Sequence, residues 1–235
     1  MNVRFPPTMI FAAGRGERLR PLTDHTPKPM LNVANKPLIE RQIAMLSAGG
    51  VTDVVINLHH LGEQIEQHVG DGARFGVNVR YSRETEKLET GGGLFNALPL
   101  LGDGPLWLLN GDVLLNLPLT EFPRTLPPGS DMHMLLTPTP AFRERGDFDF
   151  DGTHVTAWGD DVVYCCFALL EGAWLRRFVA DHNPGAAFSM RKVFEELINK
   201  RRLTGELYHG PWIDIGSQAQ LEAANRQSWE TPTAS

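Results

Sequence analysis

The first residues that could do chemistry lie in the segment FAAGRGERLRPLTDHTPKPM, residues 11–30. Gly14 and Gly16 free backbone N–H groups that can line a concave anion site, and Arg18 adds a planar fork of donors that suits phosphate oxygens. The prolines on both sides of Lys28 stiffen the base of that long side chain, so aiming it costs less entropy. A polar surface loop with incidental charge is the alternative, but the combined pattern favours a phosphate site.

Two aspartates could hold a cation beside those phosphates. Asp112 interrupts the apolar run LWLLNGDVLL, and Asp214 stands between two isoleucines in HGPWIDIG. A carboxylate at the end of a buried parallel strand lies at the ligand edge of a sheet, and hard oxygen ligands suit Mg²⁺ that is shared between protein and phosphates. Either aspartate alone would more often be a turn or capping residue. Together with the basic segment they predict a magnesium site.

A third segment, LETGGG at residues 88–93, lies between a predicted strand and a predicted helix. Because glycines are poor helix formers, the run predicts either close approach of a nucleobase to the backbone or a tight turn that needs positive φ. The segment GRGERL lacks the third glycine of GxGxxG, since Leu19 stands there, and no GxxxxGK[ST] pattern occurs. The motifs therefore argue against an NAD-dependent or P-loop enzyme.

The elements that position these residues follow from hydrophobic periodicity. In the first half, predicted strands alternate with predicted helices, an order typical of an α/β fold with a doubly wound, mostly parallel sheet. The predicted strands are 8–12, 53–58, 77–81 and 105–110, and the predicted helices are 37–49, 62–70 and 91–98. Ligands bind beyond the carboxyl ends of such strands, where the basic segment and Asp112 both fall.

The second half is broken by prolines, and its predicted strands are 132–136, 162–170 and 212–215. We expect these strands to form a mixed-strand extension of the sheet that walls one side of the pocket. The predicted organisation is a single domain over residues 1–226 followed by a disordered tail over residues 227–235.

Composition excludes several classes of partner. The 235 residues carry a net charge of −6 and are 42% apolar, which argues against a nucleic-acid or anionic-membrane surface and predicts a substantial core. The two cysteines, Cys165 and Cys166, are adjacent in an apolar run, which favours a reducing compartment over a disulfide framework. No run of about 18 apolar residues predicts a membrane span. We expect a cytoplasmic protein, and no pattern indicates an oligomer interface.

Seven motifs together resemble the sugar-1-phosphate nucleotidyltransferase family, over most of the chain to about Glu222. They are GxGxRL (14–19), PKP (27–29), KPLIE (36–40), LETGGG (88–93), NGD (110–112), RGDF (145–148) and GPWIDIG (210–216). The resemblance implies a Rossmann-like fold, Mg²⁺ as cofactor, and two substrates, a nucleoside triphosphate and a sugar 1-phosphate, that give a nucleotide sugar and pyrophosphate. It implies UTP and N-acetylmuramate 1-phosphate, in cell-wall sugar recycling, as the first expectation. The alternatives are guanylyl transfer to mannose 1-phosphate, another sugar or alcohol phosphate, and more remotely a non-catalytic nucleotide-sensing domain.

The resemblance also implies roles at matching positions. The nucleotide would be bound by Ala13, Gly14, Gly16, Glu17, Arg18, Lys28, Glu89 and Gly91. The sugar would meet Asn110, Gly146 and Asp147, the metal would bind Asp112 and Asp214, and the catalytic residues would be Arg18, Lys28 and Asp112. The mixed-strand extension would form the sugar side of the pocket. One segment departs from the family: Tyr164, Cys165, Cys166 and Phe167 replace a Phe-Ser-Gly-Ile type segment, losing a hydroxyl and a glycine.

Overall fold

The computed structural model describes residues 4–140 and 143–229. Within these ranges the α-helices are α1 (Leu38–Ala48), α2 (Gly62–Val69), α3 (Glu89–Leu101), α4 (Gly172–His182), α5 (Met190–Asn199) and α6 (Gln218–Arg226). The strands are β1 (Thr8–Phe11), β2 (Asn32–Val33), β3 (Lys36–Pro37), β4 (Asp53–Leu58), β5 (Asn78–Arg83), β6 (Pro105–Asn110), β7 (Val113–Leu115), β8 (Met132–Pro138), β9 (Phe148–Phe150), β10 (Val155–Trp158), β11 (Val162–Glu171), β12 (Leu203–Leu207) and β13 (Trp212–Asp214).

Four parallel strands form one side of the main sheet, in the order β5–β4–β1–β6, with β5 at the edge. Successive side chains point to opposite faces, so Met9 packs in the layer with α3 while Ile10 packs in the layer with α1. Helices cover both faces, which is why β1, β4 and β6 read as near-continuous apolar runs, whereas the edge strand β5 is more polar. The predicted α/β fold with a doubly wound, mostly parallel sheet is confirmed.

The second half of the chain extends this sheet with antiparallel pairs. The long strand β11 lies antiparallel to β6 and also pairs with β8 and β9. Strand β12 joins β8 in parallel, and β10 pairs with β9. The predicted mixed-strand extension is therefore present, and it lies beside the carboxyl end of β6.

The glycine run lies inside helix α3, not at a turn before it. Gly91, Gly92 and Gly93 lack positive φ, whereas Glu89, at the start of the helix, has φ 59°. A Cβ at Gly92 would stand 2.2 Å from the carbonyl oxygen of Ala186, and one at Gly93 would stand 2.5 Å from Glu84 Oε1. The prediction that this run needs positive φ is wrong, because the glycines are required for close packing of the helix.

Order extends into the first residues of the predicted tail. The Trp229 side chain is buried, and its indole N–H donates to the carbonyl oxygen of Ala224 at 2.8 Å. Residues 230–235 of the predicted tail lie outside the described residues. No helix in the described ranges is long and apolar enough to cross a membrane.

Candidate active site

The segment after β1 folds tightly around Gly16, which has φ 64°. The carbonyl oxygen of Gly16 accepts hydrogen bonds from the Leu19 N–H at 2.8 Å and from the Thr23 hydroxyl at 2.9 Å. A Cβ at position 16 would come within 2.9 Å of Thr23 Cγ2 and 3.2 Å of Lys28 Cβ. Glycine is therefore needed both for the left-handed backbone and for the approach of Lys28.

The structure brings Lys28 and Asp112 together. Strands β1 and β6 are neighbours, and the Gly111 N–H donates to the carbonyl oxygen of Phe11 at 2.9 Å where the two strands end. The Lys28 ammonium lies 2.5 Å from Asp112 Oδ2, and its side chain is only 11% exposed. A buried ammonium needs such a partner, since unpaired charge is costly to remove from water.

Gln42 on α1 holds the turn that carries Asp112. Its side chain is buried, and its amide Nε2 donates to the carbonyl oxygens of Asn110 at 2.7 Å and Val113 at 2.8 Å. One side chain thus fixes both ends of the turn. The position of Gln42, 68 residues before Asn110, gave no sequence signal for this contact.

Asp214 lies next to Asp112 through a second, two-stranded sheet. Strand β13 pairs antiparallel with β7, so that Asp214 stands opposite Val113, and the Ile215 N–H donates to the Asp112 carbonyl oxygen at 2.8 Å. The described residues contain no group of three or more His, Cys, Asp or Glu side chains that could hold a metal ion. Two carboxylates with open positions for phosphate oxygens and water nevertheless suit Mg²⁺, which rarely uses an all-protein cage.

A cavity of about 210 Å³ opens beyond the ends of β1, β4 and β6, with Ala13, Gly14, Glu89, Asn110 and Asp112 among its lining residues. Its floor is a polar network that the sequence motifs missed. Asn57 Oδ1 accepts from the Ala12 N–H at 2.7 Å, and Asn57 Nδ2 donates to Glu84 Oε1 at 2.6 Å. Both side chains are buried, so the network fixes the shape of the cavity.

Two further cavities adjoin this one. The first, about 340 Å³, is formed by residues 14–19 together with Lys28, Lys87, Asp112 and Gly216. The second, about 320 Å³, is reached past Phe11, Thr90 and Asn110 and has an aromatic wall of Trp158, Tyr164 and Phe194. A Cβ at Gly216 would stand 2.9 Å from Arg18 Nη2, so the arginine lies directly against this glycine.

Most of the residues assigned by resemblance line these cavities. Those that do are Ala13, Gly14, Gly16, Glu17, Arg18, Lys28, Glu89, Asn110 and Asp112. Asp214, Gly91, Gly146 and Asp147 line none of the three. The buried Gly91 donates its N–H to the Phe188 carbonyl oxygen at 2.8 Å, and Asp147 Oδ2 accepts from Arg143 Nη1 at 3.2 Å and from the Tyr164 N–H at 3.0 Å.

Cys166 has an unusual backbone at the point where the sequence departs from the family. Its φ is 60°, in the left-handed region that favours glycine, and it lies where the register between β11 and β8 shifts. Burial raises the pKa of the Cys166 thiol well above its usual value, and the negative charges of Asp112 and Asp214 raise it further. A neutral thiol therefore stands beside the two carboxylates.

Known proteins share both the sequence and the fold of this chain. Residues 7–138 match the sequence profile of the family described as Nucleotidyl transferase. The chain is 38% identical over 224 residues to the N-acetylmuramate alpha-1-phosphate uridylyltransferase of Neisseria meningitidis serogroup B (strain ATCC BAA-335 / MC58), a match that covers 92% of this chain and 95% of that protein. A mannose-1-phosphate guanyltransferase of Gibberella zeae (strain ATCC MYA-4620 / CBS 123657 / FGSC 9075 / NRRL 31084 / PH-1) is 41% identical over 116 residues, covering 48% of this chain and 32% of that protein.

Among solved structures, a Bacillus anthracis protein described as a glucose-1-phosphate thymidylyltransferase has the same fold. It superposes with a TM-score of 0.81 at 19% identity over 94% of both chains. The family profile and the relative that matches almost end to end indicate the same family. This chain belongs to the Nucleotidyl transferase family, as a sugar-1-phosphate nucleotidyltransferase.

Proposed function

We propose that this enzyme transfers a uridylyl group from UTP to N-acetylmuramate 1-phosphate in the presence of Mg²⁺, releasing pyrophosphate. The observation that carries the proposal is the junction of the cavities at Lys28 and Asp112, with the glycine-rich phosphate segment on one side and a polar-floored cavity on the other. The named activity of the relative that is 38% identical supports the choice of both substrates. The reaction would take place in the cytoplasm and return a cell-wall sugar to its nucleotide-linked form.

The chemistry is an in-line displacement at the α-phosphorus. A phosphate oxygen of the sugar 1-phosphate forms the new P–O bond, the bond from the α-phosphorus to the bridging oxygen breaks, and pyrophosphate leaves with the electron pair. The attacking oxygen is already ionised at neutral pH, since the second pKa of a phosphate monoester is about 6. The enzyme needs no general base, and its task is to align two anions and to offset the charge on the leaving group.

Each part of the site has a place in this reaction. Arg18 and the N–H groups around Gly14 and Gly16 bind the β- and γ-phosphates, and Lys28 offsets charge on the α-phosphate. Asp112 and Asp214 would hold Mg²⁺, which would supply positive charge to offset that of the phosphates. Before substrate arrives, Asp112 keeps the ammonium of Lys28 at the centre of the site.

The aromatic cavity is the proposed sugar side. Trp158 stacks on Phe148 with ring centroids 4.8 Å apart, and the Arg191 guanidinium lies 4.2 Å from the centroid of the Trp158 ring, so Trp158 is a fixed part of the aromatic wall of this cavity. A sugar ring presents apolar C–H faces that suit such a surface, and Asn110 lines both this cavity and the first. The mixed-strand extension contributes Trp158 and Tyr164 to this wall.

A guanylyltransferase is the second candidate, because of Glu84. A carboxylate accepts hydrogen bonds, and guanine offers two neighbouring N–H donors on its Watson–Crick edge where uracil offers one. The Glu84 carboxylate in the polar floor could therefore read either base. The guanyltransferase relative matches only about half of this chain, which makes it the weaker guide.

The test is a panel of UTP, GTP, CTP and dTTP against the 1-phosphates of N-acetylmuramate, N-acetylglucosamine, glucose and mannose, with pyrophosphate release as the readout. We expect the highest kcat/KM for UTP with N-acetylmuramate 1-phosphate. Turnover of GTP with mannose 1-phosphate alone would establish the second candidate, and reaction of UTP with none of the four sugars would exclude uridylyl transfer.

A further inference from the structure

We call the cavity of about 210 Å³ the nucleoside cavity and the cavity of about 340 Å³ the phosphate cavity. Four residues line both of them: Gly14, Lys28, Lys87 and Asp112. Three of them belong to the motifs that carry the proposed chemistry. Lys87 belongs to none of those motifs, and it comes from the connection between β5 and α3, whereas the segment 14–19 follows β1. The junction where the reaction would occur is therefore bordered by a second lysine.

The two lysines differ in burial and in whether the ammonium group already has a carboxylate partner. Lys28 is buried and its ammonium is offset by the Asp112 carboxylate at 2.5 Å. Lys87 is exposed and has no ion pair or hydrogen bond from its side chain to any residue within 4–140 and 143–229. A nucleoside triphosphate and a sugar phosphate bring several negative charges to this junction, so an uncompensated ammonium there has ligands of matching charge.

The chain at the base of Lys87 is held in place on both sides. The Glu84 N–H donates to the Leu58 carbonyl oxygen at 2.9 Å, and Glu84 Oε2 accepts from the Leu88 N–H at 3.3 Å. The Phe188 N–H donates to the Leu88 carbonyl oxygen at 3.1 Å. The lysine stem therefore starts from a fixed point, and the same connection carries Glu84 into the floor of the nucleoside cavity.

We propose that Lys87 binds phosphate oxygens of the bound nucleotide at the junction of the two cavities, as a second lysine beside Lys28. The proposal rests on the proposed function for the identity of the nucleotide, and its ligand class is the phosphate chain of a nucleoside triphosphate. Lys28 and Lys87 then both contact the phosphates, one as a buried, fixed charge and the other as a flexible, exposed one.

The test is to measure binding of uridine, UMP, UDP and UTP by calorimetry to the wild type, Lys87→Met and Lys87→Arg, with the guanosine series in parallel. We expect Lys87→Met to weaken UTP binding about tenfold, the loss typical of one charge-assisted hydrogen bond, and to leave uridine binding unchanged. Lys87→Arg keeps a positive charge on a long stem and should retain most of the affinity. Lys36→Met is the matched control, because Lys36 is an exposed lysine that lines none of the three cavities.

Two results would overturn the proposal. Wild-type affinity of Lys87→Met for UTP and GTP would remove Lys87 from the phosphate site. Equal weakening of the nucleosides and the triphosphates would mean that the lysine only supports the nucleoside cavity. The outcome is independent of the proposed function, because wild-type turnover in the sugar phosphate panel decides that function, whereas the binding ladder decides the role of Lys87.

Discussion

At the residue scale, the pairing of Lys28 with Asp112 joins two parts of the site that the sequence keeps 84 residues apart. The pair gives the buried Lys28 side chain a carboxylate partner, where an unpaired ammonium would be costly. It also places a cation and a potential metal ligand at one point, the junction of the nucleoside and phosphate cavities.

Lys28→Met should lower kcat by on the order of 10², because loss of one group that offsets transition-state charge costs about that much.

Asp112→Asn keeps the shape of the side chain but removes its charge, and it should raise the Mg²⁺ concentration needed for half-maximal rate. Steady-state assays of pyrophosphate release across a Mg²⁺ titration measure both effects. An unchanged Mg²⁺ dependence in Asp112→Asn would contradict the metal assignment.

Cys166 offers a test of backbone strain at the same scale. At φ 60°, a residue with a Cβ is disfavoured relative to glycine. Cys166→Gly should therefore be more stable to denaturant than Cys166→Ala by on the order of 1 kcal/mol. The two variants both lack the thiol, so only the backbone preference separates them, and equal midpoints in urea would show that the position carries no strain.

At the element scale, helix α3 can approach its neighbours closely because three residues of its first turns, Gly91, Gly92 and Gly93, lack side chains. Its glycines face the segment 186–188 on one side and the Asn57–Glu84 network on the other. The helix therefore helps to shape the nucleoside cavity without contributing Gly91 to its wall. In this structure the glycine run packs closely against its neighbours, and the assignment of Gly91 to the base of the nucleotide stays a prediction.

Gly92→Ala should destabilise the protein by about 1–3 kcal/mol, the usual cost of forcing extra volume into a close-packed contact. The cause is the Cβ that would stand 2.2 Å from the Ala186 carbonyl oxygen. Gly104→Ala is the control, since a Cβ there meets nothing within 4 Å and the glycine has no positive φ. Thermal unfolding compares the two, and similar losses in both variants would refute the packing explanation.

At the scale of the whole molecule, stability should fall on the alkaline side. Burial raises the pKa of the Cys165 thiol, and also that of Cys166, so both stay neutral in the folded protein. In the unfolded chain, cysteine thiols have a pKa of about 8.5. Below that pH the two states bind the same thiol protons. Above that pH, ionisation of the thiols lowers the free energy of the unfolded state only. The free energy of unfolding therefore decreases as pH rises.

Melting temperatures between pH 7 and 10 test this expectation for the wild type and Cys165→Ala. The variant has one thiol fewer to ionise, so its melting temperature should fall less steeply above pH 8.5, whatever its value at pH 7. Parallel curves would show that the buried thiol does not contribute to alkaline unfolding.

The sequence was most informative where local pattern and local structure coincide. Strands β4 and β6 begin and end at the predicted residues, because their apolar runs are buried on both faces of a parallel sheet. Among the elements that were not predicted are helices α4 and α6 and the short strands β9, β10 and β12. Their burial depends on partners far along the chain, as with β12, which lies beside β8 about 70 residues earlier.

By itself, the sequence determined the fold class and the chemistry at the carboxyl edge of the sheet, since apolar periodicity and motifs such as GxGxRL and NGD are local properties. Only the tertiary structure decided how the parts meet. It paired Lys28 with Asp112, brought Asp214 beside Asp112 through β7 and β13, and added Gln42, Glu84 and Lys87 to the site. These contacts join residues that no periodic pattern relates, because the packing of the sheet and its helices fixes which side chains meet.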